Sequence, residues 1–574
     1  MDLKKITNRE IDDKNLFLVI KIIVLVCGTY LSFVYNILAV DFFMRFFKDN
    51  KDHVFYCILL IATFVFAGLY YILFRWNFLE KLYSRLREKT LTSQILICLF
   101  SALSAGTYVV KFYENAGRNL ERFGGYEKWW YNIPSAMGIN APSEPSNFPN
   151  WLLSLVLFIP LLLLFLYFTT AICDFLISFL KTLTKNEKRF LIIASAIALV
   201  YITFLFTNTN MYYAWHNNFY SFDSFSDPVF LKDPFHDWTY YNYQLLPNFT
   251  MPILLLAKMF SPAPIVEIIL MAFVQFVLLL VCIVIFSRIV SKKPKIRFFV
   301  ILVFTFSFQT MILAFIPERR VIPLVFLIFA VYHSLYIDKN DKKDGDDKFW
   351  LSLAAGAIIS NVCVFFAGIR SKKAFIKDLI FCGLVFLFLA AFLGKIAGII
   401  GINDHVEKYS GAGWMDADLD TKTILIHYLV LISSFLIAPL SGAAEENRRW
   451  WQSPIDSGGH EIFVILGIII FTVAIAGFVL NYKNRFAQIS LAAIAISVYL
   501  IFFRSLNLGE NAVVLNTTMF AWAFIALCVM ALEKVFKKKK IIYGILATTA
   551  GICFVYNMIM VVRIYNFAVE FAPA

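Results

Sequence analysis

Apolar residues in this chain gather into runs of roughly 17 to 25, the length at which a helix rising 1.5 Å per residue crosses about 30 Å of hydrocarbon. Short polar turns separate the runs. They fall near 16–40, 54–74, 95–112, 150–180, 190–207, 264–290, 298–316, 320–337, 349–368, 378–400, 423–440, 462–481, 486–503, 512–532 and 541–562. A lone strand would leave its backbone unpaired in lipid, so each run is predicted to be a helix. The expected fold class is an all-α, polytopic integral membrane protein with about 13–15 transmembrane helices.

Basic residues follow every second run and fix a register. The clusters are Lys4 and Lys5, Arg75 to Lys89, Lys181 to Arg189, Lys292 to Arg297, Lys339 to Lys348, Lys483 with Arg485, and Lys534 to Lys540. By the positive-inside rule these loops are cytoplasmic. The register strains between 349 and 440, where Arg370, Lys372, Lys373 and Lys377 would fall outside if 349–368 crosses completely. Either that segment is re-entrant or the rule fails there. If 349–368 and 423–440 both stop short, thirteen spans remain and both chain ends keep their sides.

Composition agrees with this pattern: 60% of the 574 residues are apolar and 16% charged, against about 25% charged in soluble domains. The net charge of +13 resides in the short loops, so it reads as topology and not as a nucleic-acid surface. All nine cysteines lie inside apolar runs without a Cys-x-x-Cys pair, which argues against disulfides and a zinc site. The polar stretch Met1 to Lys14 leads into an apolar run without a small-residue cleavage site, so the first helix is expected to stay uncleaved. No P-loop, Rossmann glycine pattern or nucleophile elbow occurs.

The large external segments are then 113–149, 208–251 and parts of 401–461, where chemistry is expected. Between Tyr212 and Phe249 stand Asp223, Asp227, Asp233 and Asp237, one lysine (Lys232) and fourteen aromatic residues. A carboxylate there can take the proton of an attacking hydroxyl, and aromatic faces hold the apolar faces of sugars. Asp227-Pro228 and Asp233-Pro234 keep these acids out of helical backbone. The plainer reading is a solvated loop within an interfacial aromatic belt. His236, in Asp233-x-x-His236-Asp237, adds a nitrogen through which a divalent metal is a possible cofactor.

Three further constellations qualify. Arg319 and Arg320, beside Glu318 in an external turn, suit a lipid phosphate or pyrophosphate, although arginine at a helix end commonly just snorkels. Arg448 and Arg449, within Glu445 to Trp451, suit an acceptor side or an interfacial anchor. Glu510 lies at the edge of the span 512–532, where a carboxylate is costly without a partner.

The order of span 190–207, acidic external loop, the helix QLLPNFTMPILLLAKMF (244–260), the IPERR turn (316–320) and the lysine-rich loop before FWLSLAAGAIISN resembles the core of the GT-C class of membrane glycosyltransferases. That resemblance implies transfer of a sugar from a polyprenyl-phosphate-linked donor to a glycan, lipid or protein acceptor outside the membrane. One of Asp223, Asp227, Asp233 or Asp237 would be the base. It also implies an organisation of an N-terminal transmembrane extension (1–185, about four helices and the loop 113–149), a GT-C-like catalytic core (186–400) and a C-terminal transmembrane region (401–574). Four spans precede what would ordinarily be the first helix of that class. The competing expectations are a flippase or transporter of a lipid-linked saccharide, or a glycan polymerase or ligase. Abundant Phe, Ile and Lys suggest a bacterial inner membrane, with the lipid bilayer as partner and no nucleic acid.

Overall fold

The computed structural model describes residues 13–39, 50–123, 151–209, 247–261, 263–315, 320–337, 346–369, 375–400, 421–437, 461–499 and 517–571, with single positions between 43 and 48. Among the described residues there is no strand, and nine helices are long and apolar enough to cross a membrane. Large aliphatic side chains on these helices are exposed, including Leu60, Ile192, Val200 and Ile462 at about 70% of their surface or more. No solvent but lipid tolerates so many. The protein is an all-α polytopic membrane protein.

The described residues cluster into two compact units, one from 1–183 and 387–402, the other from 184–232, 242–386 and 403–574. In the first unit run α1 (Asp13–Leu38), α2 (Lys51–Tyr70), α3 (Phe78–Arg87), α4 (Leu91–Phe123) and α5 (Trp151–Thr182). Asn50 caps α2 by accepting the His53 N–H at 3.2 Å, which satisfies one of the donors every helix start leaves over. A π turn, Tyr71–Arg75, and Asn77 at φ +52° then turn the chain into the short α3. Lys21 of α1 holds that corner, 2.5 Å from Glu80 and 3.2 Å from the Asn77 side chain.

The same unit contains a helix break at Gly394. The helix α13 (Phe375–Phe392), whose residues from Leu387 belong to this unit, stops there because a φ of +71° favours a residue without a Cβ. A Cβ there would lie 2.6 Å from that of Tyr35. Ser32 Oγ and Asn36 Nδ2 of α1 donate to the freed Ala391 carbonyl at 2.8 and 2.9 Å.

The second unit holds α6 (Lys185–Asn208), α7 (Pro247–Phe260), α8 (Pro264–Val290), α9 (Pro294–Thr305), α10 (Phe308–Met311), α11 (Val321–Tyr332), α12 (Asp346–Ala357), α15 (Thr421–Ser434), α16 (Glu461–Asn481), α17 (Arg485–Val498), α18 (Thr517–Val535) and α19 (Lys539–Phe571), while the five-residue α14 (Ile396–Ile400) belongs to the first. Pro264 and Pro294 start α8 and α9, positions where the missing N–H costs nothing. The most apolar window of α8 is 67% buried in protein against 22% for α6 and α16, which makes α8 the central helix and the others lipid-facing. Helix α16 packs through a face of small residues: a Cβ on Gly467 would come within 2.3 Å of the Leu429 carbonyl, and one on Gly477 within 2.1 Å of that of Leu527. This close backbone approach is the usual way helices associate without a hydrophobic driving force.

Four predicted spans are interrupted among the described residues. The run 298–316 divides into α9, α10 and the 3-10 turn Leu313–Phe315; 349–368 is α12 followed by the 3-10 stretch Ile359–Gly368; 378–400 breaks at Gly394 between α13 and the short helix Ile396–Ile400; and 423–440 leaves the helix after α15, while 320–337 passes from α11 into a π turn. Two breaks are sewn together. Phe308 N–H donates to Leu436 O at 3.1 Å, and Asn557 Nδ2 of α19 donates to both Phe306 O and Leu436 O at 2.8 Å. Within the 3-10 stretch, Asn361 Nδ2 donates to Pro323 O and Ala354 O at 2.9 and 3.1 Å. Protein donors thus replace water, the condition under which irregular backbone persists at membrane depth.

Candidate functional site

Helix α6 ends at Asn208 and α7 begins at Pro247, so the acidic, aromatic segment of the sequence runs between these two helices. Both attachment points are fixed. Thr209 is buried with its hydroxyl donating to Leu205 O at 2.7 Å, and Thr250 and Met251 of α7 are buried as well. Asp223, Asp227, Asp233, His236 and Asp237 themselves lie outside the described residues, as do Glu318, Arg319, Arg448, Arg449 and Glu510.

Arg320 is described, and it is 4% exposed at the N-cap of α11. An arginine carried at a helix start has the chemistry to hold a phosphate together with the helix N–H groups. The turn before Arg320 is braced from α8: Gln275 Nε2 donates to Ala314 O at 3.2 Å, and Phe315 packs between Phe276 and Tyr201 at centroid distances of 4.8 and 4.6 Å.

Glu267, in the first turn of α8, is 4% exposed, and its carboxylate lies 3.9 Å from Lys258 of α7. A carboxylate at that position favours the helix dipole. Asp174, the other acid that stands within an apolar run of the sequence, pairs with Lys89 in the first unit.

One buried ion pair among the described residues was not singled out by the sequence. Arg288 Nε and Nη2 lie 3.1 and 2.6 Å from the two oxygens of Glu187, a bidentate fork. Glu187 Oε2 also accepts the N–H and hydroxyl of Thr184 at 2.8 and 2.9 Å, closing a capping box on α6. The signal was legible as Thr184-x-x-Glu187, but the arginine 101 residues on was not. This cluster sits at the lysine-rich ends of α6 and α8, where it fastens the two helices.

Among the described residues, no group of three or more His, Cys, Asp or Glu is placed to hold a metal ion, and the candidate ligands Asp233, His236 and Asp237 lie outside them. Comparison with protein-family models, curated proteins and solved structures finds no match. The fold therefore defines the class, a multi-pass α-helical membrane protein, and function rests on the chemistry of the residues.

Proposed function

We propose that this protein is a membrane glycosyltransferase that moves a sugar from a polyprenyl-phosphate-linked donor to an acceptor on the extracytoplasmic face. The observation that carries the reading is the segment between α6 and α7, with four aspartates against one lysine among fourteen aromatic residues. One of Asp223, Asp227, Asp233 and Asp237 accepts the proton of the acceptor hydroxyl as that oxygen attacks the anomeric carbon. The bond to the phosphate oxygen breaks, the lipid phosphate leaves, and direct displacement inverts the anomeric centre.

Arg320 supports the reading as one holder of the donor phosphate, with Arg319 beside it and Glu318 as the pairing carboxylate. A fixed cation at a helix start stabilises the charge that grows on the leaving phosphate. Arg448 and Arg449 are assigned to the acceptor side, and Glu510 to the outer membrane edge. Burial of Thr209 and Thr250 supports a loop held at both ends, as positioning of a base requires. A divalent metal at Asp233, His236 and Asp237 would be a further way to neutralise phosphate charge. The setting is a bacterial inner membrane.

A second reading, a flippase for a lipid-linked saccharide, is favoured by one feature. The paired breaks after α9 and α15, with buried Gln275, Gln309 and Asn557 nearby in the chain or bonded to them, resemble the discontinuous helices of transporters.

One experiment separates the two. Purified protein in proteoliposomes receives a radiolabelled sugar on a synthetic polyprenyl phosphate, and both transfer to acceptor and movement of labelled lipid between leaflets are measured. Transferase activity is expected, with Asp223→Asn, Asp227→Asn, Asp233→Asn and Asp237→Asn compared and one of them losing on the order of 10² to 10⁴ in rate. Leaflet exchange without donor consumption, unaffected by all four changes, makes the protein a flippase.

A further inference from the structure

The lysine-rich loops of the sequence are separate in the chain, but two of them meet in the second unit. Glu533, near the end of α18, accepts the Ser291 hydroxyl and lies 3.3 Å from Lys293 Nζ, both at the turn between α8 and α9. Beyond these loops, α9 packs along α19, with Phe299 and Tyr543 stacked at 5.8 Å. The turns 291–297 and 533–540 are therefore pinned side by side.

The pin uses up the local anion. Lys292, Lys295, Lys534 and the run Lys537 to Lys540 are all exposed, and no ion pair involves them among the described residues. Seven ammonium groups in two adjoining turns repel one another, and they need counter-charge from outside the protein. The apolar residues just above them mark where that charge lies. Phe298, Val535 and Ile541 are 55, 57 and 42% exposed, which suits the edge of the hydrocarbon, so the lysines stand at head-group level.

We propose that these two turns form one docking surface for the anionic head groups of phospholipids in the cytoplasmic leaflet. Joining the turns matters because a cluster of four to eight cations at a helix end is what retains anionic lipid, whereas an isolated pair only orients the chain. Glu533 organises the surface and does not bind lipid itself.

The test uses the full-length protein in nanodiscs of phosphatidylcholine with or without phosphatidylglycerol, and native mass spectrometry to read which lipid stays bound on release. Retention of phosphatidylglycerol over phosphatidylcholine is expected. It should fall by at least tenfold in K537Q/K538Q/K539Q/K540Q, since each lysine near a charged surface contributes about fivefold. The preference should also weaken as salt is raised. These side chains are exposed, and the thermal midpoint of the variant in phosphatidylcholine should match the native one. Three results overturn the proposal: no preference in the native protein, an unchanged preference in the quadruple variant, or full displacement by inorganic phosphate, which would make it a site for a free anion.

Discussion

Asn557→Leu is the sharpest probe of how the broken helices are held. Leucine has nearly the same shape but no donor, so the change removes two hydrogen bonds of 2.8 Å from a fully buried position. The two acceptors do not suffer equally. Leu436 O keeps the Phe308 N–H at 3.1 Å, and the loss there should resemble the average side-chain hydrogen bond within a membrane protein, about 0.6 kcal/mol. Phe306 O accepts no other hydrogen bond among the described residues, and an orphaned buried carbonyl costs about 1–3 kcal/mol. The expected destabilisation is therefore roughly 2–4 kcal/mol. Reversible unfolding in mixed micelles reads it, and hydrogen exchange reads where it acts: the amides of Phe308 and Gln309 should exchange faster, and those of α2 in the first unit should not. A loss under about 0.5 kcal/mol, comparable to an exposed substitution, would show that the breaks hold without Asn557 and refute the account.

Other outcomes follow from the same physics. Gly477→Leu drives a side chain into the Leu527 carbonyl and should lower stability by about 1–3 kcal/mol or more, whereas the same change at Gly544, where a Cβ meets nothing within 4 Å, should be nearly silent; thermal unfolding of the two compares them. Glu187→Gln leaves Arg288 without its bidentate carboxylate and should cost about 3–5 kcal/mol, and a double-mutant cycle with Arg288→Gln should recover part of that loss, additivity being the refuting result. Arg320→Gln should raise the donor KM at least tenfold, given about 1.5–3 kcal/mol for a hydrogen bond to a charged group, with Arg320→Lys less affected. Equal KM values in native and R320Q protein would remove Arg320 from the donor site.

Length and hydropathy sufficed to locate the membrane helices, because an apolar run of spanning length has few alternatives in lipid. Pro264 and Pro294 prove to open α8 and α9, the latter four residues before the predicted run at 298. Breaks were less legible. Ser307, Ile358 and Ile437 sit in apolar surroundings, and nothing in a hydropathy window distinguishes a carbonyl bonded along its own helix from one bonded to Asn557, 251 residues further on. The strained register between 349 and 440 did coincide with interrupted helices, since charge placement records topology where hydropathy does not. As for the site, Arg320 is the member of the candidate set whose surroundings are described; its burial had no sequence signal, because an arginine at a helix end ordinarily reaches for water.

Glu187 also sets a timetable for the making of this protein. Its carboxylate is complete only when Arg288 arrives, 101 residues later in the chain. At about 5–20 residues per second of synthesis, α6 waits roughly 5–20 s in the membrane with its acid held by the Thr184 cap alone. On that order of synthesis, the Thr184 capping box is what satisfies the Glu187 carboxylate until the helix that carries Arg288 arrives beside it.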